Sequence, residues 1–459
     1  MNCYRIRQWT LSWLVFLTVA SFLLNIFIPY AIAETEVKTY SLEECINLAL
    51  RQSPSAILAT QDLQKANSAF QQVTASQQGE LNATAGYSHK ESSSSTATDI
   101  YSGALSFSNP RFKTNLSLNS SPGESQNLNL SLQYTLYDGY PGGRGQANYE
   151  KAEQNWELQQ LSWEKTRQDI VFSVKQAYFT LIQEVRMLEV NAQTIQQLEK
   201  QLEQAKEFYK AGTAPKMDIT QAEMELANAN LDRLRSLNSL RAARMNLNIL
   251  LGLDISTPIQ VVEDLKFTPI KYDLNESLPE AYQKRIELKQ LEFNKRAGEV
   301  NLNLAKSDKL PTITINSGYG WQEVFYPSPL EKKDWNLGVT VNIPILDSGL
   351  RNLKIEEAQM ELHNLGIREE QTKITIRQEV EQAITGLEMA AASKEVIEQA
   401  LAQTQENYRL TQERYKAGLA PVQDVLSAGV SLAKAQINLV KAICDYKIAE
   451  AKIDKVLGR

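Results

Sequence analysis

Histidines, cysteines, clustered carboxylates and glycine-rich turns are the raw material of catalytic and metal sites, and this chain spends few of its residues on them. In 459 residues there are two histidines, His89 and His363, and three cysteines, Cys3, Cys45 and Cys444. Neither histidine has a His or Cys neighbour at ligand spacing, whereas a zinc site takes four such groups, or three and a water. His363 lies inside a long helical pattern and reads as a surface residue. The glycine-rich stretch GYPGGRG at 139–145 follows a strand pattern and precedes a helical one. A dinucleotide-binding turn would need a compact βαβ unit with a helix of ordinary length. Here no strand returns promptly, so the stretch reads as a turn into a helix. The remaining carboxylates alternate with lysines at helical spacing, as on solvated faces. No cofactor or metal site emerges, and a non-enzyme is expected.

Two aspartates stand apart because their surroundings are duplicated. Residues 207–219 read EFYKAGTAPKMDI and residues 413–425 read ERYKAGLAPVQDV, with eight of thirteen positions identical at an offset of 206. Gly212 and Gly418 suit a left-handed helix end. Pro215 and Pro421 suit the first position of the next helix. Asp218 and Asp424 follow three residues later, where a carboxylate complements a helix N-terminus. That capping role needs no further function.

The elements that position these turns repeat as well. LYDG at 136–139 and ILDSG at 345–349 each close an alternating segment ahead of a long helical one. Residues 146–210 contain no proline or glycine, and residues 352–416 hold only Gly366 and Gly386. As helix, each 65-residue stretch would span roughly 98 Å. Shorter helices are expected at about 44–78 and 217–251. Stacked end to end they match one long helix, and a continuous helix beside a broken one makes a coiled-coil pair. Around Trp156 and Trp163 the apolar seam steps by seven residues, while most other faces are polar.

The strand segments alternate cleanly. Leu128, Leu130, Leu132, Tyr134 and Leu136 oppose Asn127, Asn129, Ser131, Gln133 and Thr135; Leu337, Val339, Val341 and Ile343 oppose Asn336, Gly338, Thr340 and Asn342. Segments at 312–321 and, more weakly, 81–87 complete four strands. Residues 101–119 alternate in part and read as an optional extra extracellular hairpin. One apolar and one polar face, with Tyr87, Tyr101, Tyr137, Trp321, Phe325, Tyr326 and Trp335 near the ends, favour a membrane barrel over a soluble sandwich. Four strands cannot close a barrel, so several copies must share one: two would give eight strands and three would give twelve.

Residues 1–33 read as an export signal, with Arg5 and Arg7, an apolar run and Ala31-Ile32-Ala33. The net charge of −6 becomes −8 without the two arginines. A mildly acidic chain without a basic patch argues against a nucleic-acid partner. Cys45 and Cys444 remain as free thiols or a disulfide pair. The expected divisions are 1–33 signal, 34–251 first repeat, 252–272 linker and 273–459 second repeat.

These features together resemble the TolC family of outer-membrane efflux proteins: the two-fold repeat, the YDG and LDSG strand ends, the YKAG-x-AP-x-x-D turns and the helix lengths, across residues 41–457. The resemblance implies a mainly α fold with transmembrane β. A long α-helical barrel would continue into a β-barrel shared by a homotrimer, with four strands per chain. It further implies an outer-membrane exit duct with a large periplasmic portion. Such a duct serves tripartite efflux or type I secretion, and works with a periplasmic adaptor and an inner-membrane pump. The two turns would then form the periplasmic tips. Tyr209, Gly212, Ala214, Pro215, Tyr415, Gly418, Ala420 and Pro421 would meet the adaptor, and Asp218, Asp424 and Tyr415 would form the entrance. Asp424 and Tyr415 match gate residues of the family's best-known member, whereas Ser427 and Ala420 replace an aspartate and an arginine there. An exported structural or adhesive coiled coil is the alternative.

Overall fold

The computed structural model describes residues 38–92, 95–263, 265–325 and 328–459; the expected export signal, Cys3 and Tyr326 lie outside the described residues. The chain divides into two compact units. In the smaller one, residues 38–40 and 258–260, strand β1 (Lys38–Tyr40) pairs with β6 (Ile259–Val261). The larger one carries every other element.

Helix α1 (Leu42–Gln52) opens with a capping box. The Glu44 N–H donates to Ser41 Oγ at 3.3 Å, and the Ser41 N–H donates to the Glu44 carboxylate at 2.8 Å. A single helix over 44–78 was expected. The chain instead breaks at Ser53, which ends α1 and caps α2 (Pro54–Gln78) by accepting the Ala56 N–H at 3.1 Å. Pro54 has no N–H to continue the α1 ladder, so the proline begins the second helix rather than interrupting the first.

The sheet follows. Strands β2 (Glu80–Ser92), β3 (Ser95–Ser108), β4 (Phe112–Ser121), β5 (Ser125–Tyr137), β7 (Thr312–Val324) and β8 (Leu330–Asn342) form one antiparallel sheet in the order β2-β3-β4-β5-β7-β8. Four strands were expected and six are present, because residues 95–121 contribute a full pair inserted between β2 and β5. Among the described residues β2 and β8 are left as open edges.

Each long helix grows from a strand end held by an aspartate. Asp138 accepts the N–H groups of Tyr140 at 3.2 Å and Arg144 at 2.7 Å. Asp347 accepts those of Gly349 at 3.1 Å and Arg351 at 3.0 Å. The YDG and LDSG motifs therefore satisfy amides that a helix start would otherwise leave unpaired. Helices α3 (Arg144–Lys210) and α7 (Leu350–Lys416) are 67 residues each, roughly 100 Å long. They begin two residues before the expected starts. Their shorter partners are α2 with α4 (Lys216–Leu251), and α5 (Leu274–Lys284) and α6 (Ile286–Ser307) with α8 (Val422–Leu457). Along the α2–α3 seam, Phe70 sits between Tyr149 and Trp156, at ring distances of 5.3 and 5.8 Å, and the Trp163 indole N–H reaches Thr60 Oγ1 at 3.4 Å. That is the seven-residue step of a coiled-coil seam.

The broken helices abut end to end. Gly252 caps α4 at φ +70°, and a Cβ there would lie 2.3 Å from the Gln52 carbonyl oxygen at the α1–α2 break. In the same way Gly458 caps α8 at φ +75°, against Lys284 at the α5–α6 break. At that second junction Arg285 is buried. Its guanidinium donates to Glu287 at 2.9 Å and to Glu379 at 2.7 Å, so the buried charge is paired on two sides. Lys175–Asp454 at 2.9 Å and Lys455–Asp169 at 2.6 Å tie α3 to α8 at the same height. Two tyrosines hold the connecting segment: Tyr446 donates to the Thr268 carbonyl at 2.8 Å and accepts the Ile270 N–H at 3.1 Å, while Tyr178 donates to the Val262 carbonyl at 2.5 Å. Cys45 and Cys444 are buried free thiols, and burial pushes both up to about 12.

Glycine substitutions separate contact from propensity. Gly252→Ala forces a side chain into a left-handed residue and into Gln52, and should cost well above ~1 kcal/mol. Gly366→Ala, in the interior of α7 with open space at its Cβ, should gain ~0.5–1 kcal/mol. Thermal unfolding followed by circular dichroism should order the melting temperatures Gly366→Ala, parent, Gly252→Ala.

Candidate functional site at the helix-hairpin turns

The two duplicated turns fold identically. Gly212 at φ +72° receives the chain as it leaves α3, its N–H donating to the Tyr209 carbonyl at 3.0 Å and that of Thr213 to the Phe208 carbonyl at 2.9 Å. Gly418 at φ +73° repeats this after α7, with bonds to the Tyr415 carbonyl at 2.9 Å and from Leu419 to the Arg414 carbonyl at 2.8 Å. This pair of bonds is the Schellman motif, which answers the orphan carbonyls of a helix end. Pro215 and Pro421 were expected at the first helical position. Both are extended instead, at ψ 156° and 158°, and serve as N-caps. The chain needs one extended residue to reverse between antiparallel helices, and proline's fixed φ supplies it. Asp218 and Asp424 thus occupy the third helical position, with their N–H groups donating to Pro215 and Pro421 at 3.2 Å.

Identical backbones carry unlike environments. Tyr209 is half-exposed, whereas its counterpart Tyr415 is 4% exposed. The Tyr415 ring packs on Phe208 at 5.5 Å, within an apolar cluster that includes Leu198, Ala222, Val422, Val425 and Leu426. The asymmetry follows from side chains beside the motif: Phe208 stands opposite Arg414 in the repeat, and Val422 opposite Lys216. Among the described residues the Tyr415 hydroxyl has no hydrogen-bond partner. Burial pushes its phenol up, and the negative charge of Asp218 adds to that. Asp218 is half-buried and its carboxyl is raised by burial, while Asp424 is exposed. Tyr415 and Asp218, from different repeats, are thereby brought together; Asp424 is left apart. Ala214 and Ala420 are half-buried, and Gly212, Pro215, Gly418 and Pro421 are exposed.

Sequence reasoning missed the layer behind this pair. Gln201 is buried and donates to the Tyr408 hydroxyl at 3.0 Å, bridging α3 and α7. The signal was available, since Gln201 lies seven residues before Phe208 and Tyr408 seven before Tyr415, the repeat of a shared seam. Elsewhere the chemistry-bearing residues stay apart. His89 bonds to Asp99 at 2.7 Å and His363 is exposed. Among the described residues no group of three or more His, Cys, Asp or Glu could hold a metal ion. In the 139–145 turn, the first free amide of α3, on Arg144, is already taken by the Asp138 carboxylate, so the turn closes on its own acid.

Comparison with known proteins covers nearly the whole chain. The chain is 21% identical over 451 residues to the outer membrane protein TolC of Vibrio cholerae, spanning 95% of both. It is 23% identical over 364 residues to a probable efflux pump outer membrane protein, TtgC, of Pseudomonas putida, spanning 76% of this chain and 73% of the other. The solved outer membrane protein VceC of Vibrio cholerae superposes with a TM-score of 0.72 at 19% identity, covering 91% of this chain and 96% of that one. A model of the family described as outer membrane efflux protein matches residues 45–253 and 278–459. The chain belongs to the outer membrane efflux protein family.

Proposed function

We propose that this protein is the passive exit duct of a tripartite efflux or secretion assembly, built as a homotrimer in the outer membrane. The carrying observation is a sheet with two open edges and a continuous apolar face, joined directly to helices of 67 residues. Among the described residues no helix is long and apolar enough to cross a membrane; in this reading the two-faced sheet is the element that meets outer-membrane lipid. Two repeats, 34–251 and 273–459 joined by 252–272, each supply one long helix and one turn. The matching Gly252 and Gly458 junctions support that division.

In this reading the turns are the periplasmic entrance and meet a periplasmic adaptor, which couples the duct to an inner-membrane pump. Tyr209, with Gly212, Ala214, Pro215, Gly418, Ala420 and Pro421, supplies the docking surface. Tyr415 supports it from within, because its ring is buried. Asp218 and Asp424 line the entrance, and Tyr415 links the two hairpins beside Asp218. An exported coiled-coil protein without a pore would explain the helices but not the two-faced sheet.

The entrance makes two tests. Asp218→Ala with Asp424→Ala should weaken block by di- or trivalent cations added from the turn side in planar bilayers; unaltered block would remove the carboxylates from the conduction path. The raised Asp218 carboxyl sets a pH dependence. Its folded value lies above its unfolded one, so its contribution is full below the ordinary carboxylate range and is lost as pH rises through the raised value. Hydrogen exchange over residues 208–222, corrected for intrinsic rate, should be slower below the ordinary carboxylate range than at neutral pH. Asp218→Asn should be slow at both.

A further inference from the structure

The expected accessory hairpin at 101–119 was placed outside the membrane. The observed β3–β4 pair runs the full height of the sheet. Its turn, at Asn109–Arg111, lies at the helical end. Asn109 accepts the Phe112 N–H at 2.6 Å, Thr135 N–H donates to the Arg111 carbonyl at 2.7 Å, and the Arg111 guanidinium donates to the Gly142 carbonyl. A Cβ on Gly145, in the first turn of α3, would touch Pro110 at 2.7 Å. The hairpin is thus anchored where the long helix begins.

Its faces also continue those of its neighbours without a break. In register across the six strands run Ala83, Leu105, Leu116, Leu130, Tyr319 and Trp335. One residue along, on the opposite face, run Asn82, Ser106, Asn115, Ser131, Gly318 and Asn336. Aromatic pairs mark both ends of the hairpin, Tyr87 with Tyr101 at 5.3 Å and Phe107 with Phe112 at 6.2 Å. Apolar outside, polar inside and aromatic at both margins is the pattern of a strand crossing a bilayer.

We infer that β3 and β4 are transmembrane wall strands, and that the shared barrel has eighteen strands, six from each of three copies. Only the number eighteen rests on the homotrimer proposed above. Barrel width grows roughly linearly with strand number, so the lumen is about 1.5 times as wide as that of a twelve-stranded barrel. The duct then takes bulkier cargo through its outer-membrane section than four strands per chain would pass.

The test places an environment-sensitive fluorophore on Leu116→Cys or on Ser117→Cys, in full-length protein carrying Cys3→Ala, Cys45→Ala and Cys444→Ala and reconstituted in vesicles. A nitroxide at mid-chain depth in the lipid should quench the label at 116 several-fold and leave the one at 117 nearly unchanged, with aqueous iodide giving the reverse. Iodide quenching at both positions with no effect of the lipid nitroxide would place the hairpin in water and overturn the inference. Particle mass in detergent addresses the copy number separately. A trimer gives eighteen strands; any other mass overturns that number and the homotrimer together, while leaving the wall assignment to the labels.

Discussion

The rest of this structure depends on the unpaired backbone of two strands. β2 and β8 are each 13 residues long, and each presents a row of N–H and C=O groups with no strand partner among the described residues. In hydrocarbon every such group costs several kcal/mol, so each bare edge costs on the order of tens of kcal/mol. A folded domain is stable by only about 5–15 kcal/mol. No packing inside one chain offsets that, and closure with further copies is the remedy. The apolar face demands lipid, the edges demand neighbours, and a membrane-spanning oligomer follows from the two together.

The helices translate this closure into length. Each 67-residue helix is held mainly by packing rather than by its own propensity, and its faces are largely polar. It is held along thin seams, where Phe70 meets Tyr149 and Trp156 and where Gln201 meets Tyr408. The shorter partners reach the same length only because Gly252 and Gly458 let helix ends butt against the breaks at Gln52 and Lys284. Buried Arg285 and the ion pairs of Lys175 and Lys455 fix the level of those joints. Rigid columns of this kind hold the turns at a fixed distance from the sheet, as the proposed docking entrance would require.

Much of this was legible in the sequence, for reasons of period and punctuation. The absence of proline over 65 residues, with no glycine in one stretch and two in the other, located both long helices to within two residues, and the YKAG repeat located both turns. What escaped depended on tertiary context. The break at Pro54 looked like a helix interior because a proline at a first turn and one within a helix read alike without their caps. The β3–β4 hairpin was weak in sequence because serine and glycine dilute its alternation; its register with stronger neighbours reveals the face. The duplicated turns read as equivalent, yet Tyr415 is buried and Tyr209 is not, a difference set by Phe208 and Val422 outside the shared motif. The charge of Asp218 acts on Tyr415 across 197 residues of sequence, and no local pattern announces it.

The most direct test of the central claim is single-channel conductance of the purified protein in a planar lipid bilayer. An outer-membrane duct inserts stably and gives discrete, long-lived conductance steps. A protein that stays in the aqueous phase, or binds the bilayer without any conductance, would contradict it and leave the exported coiled coil as the better description.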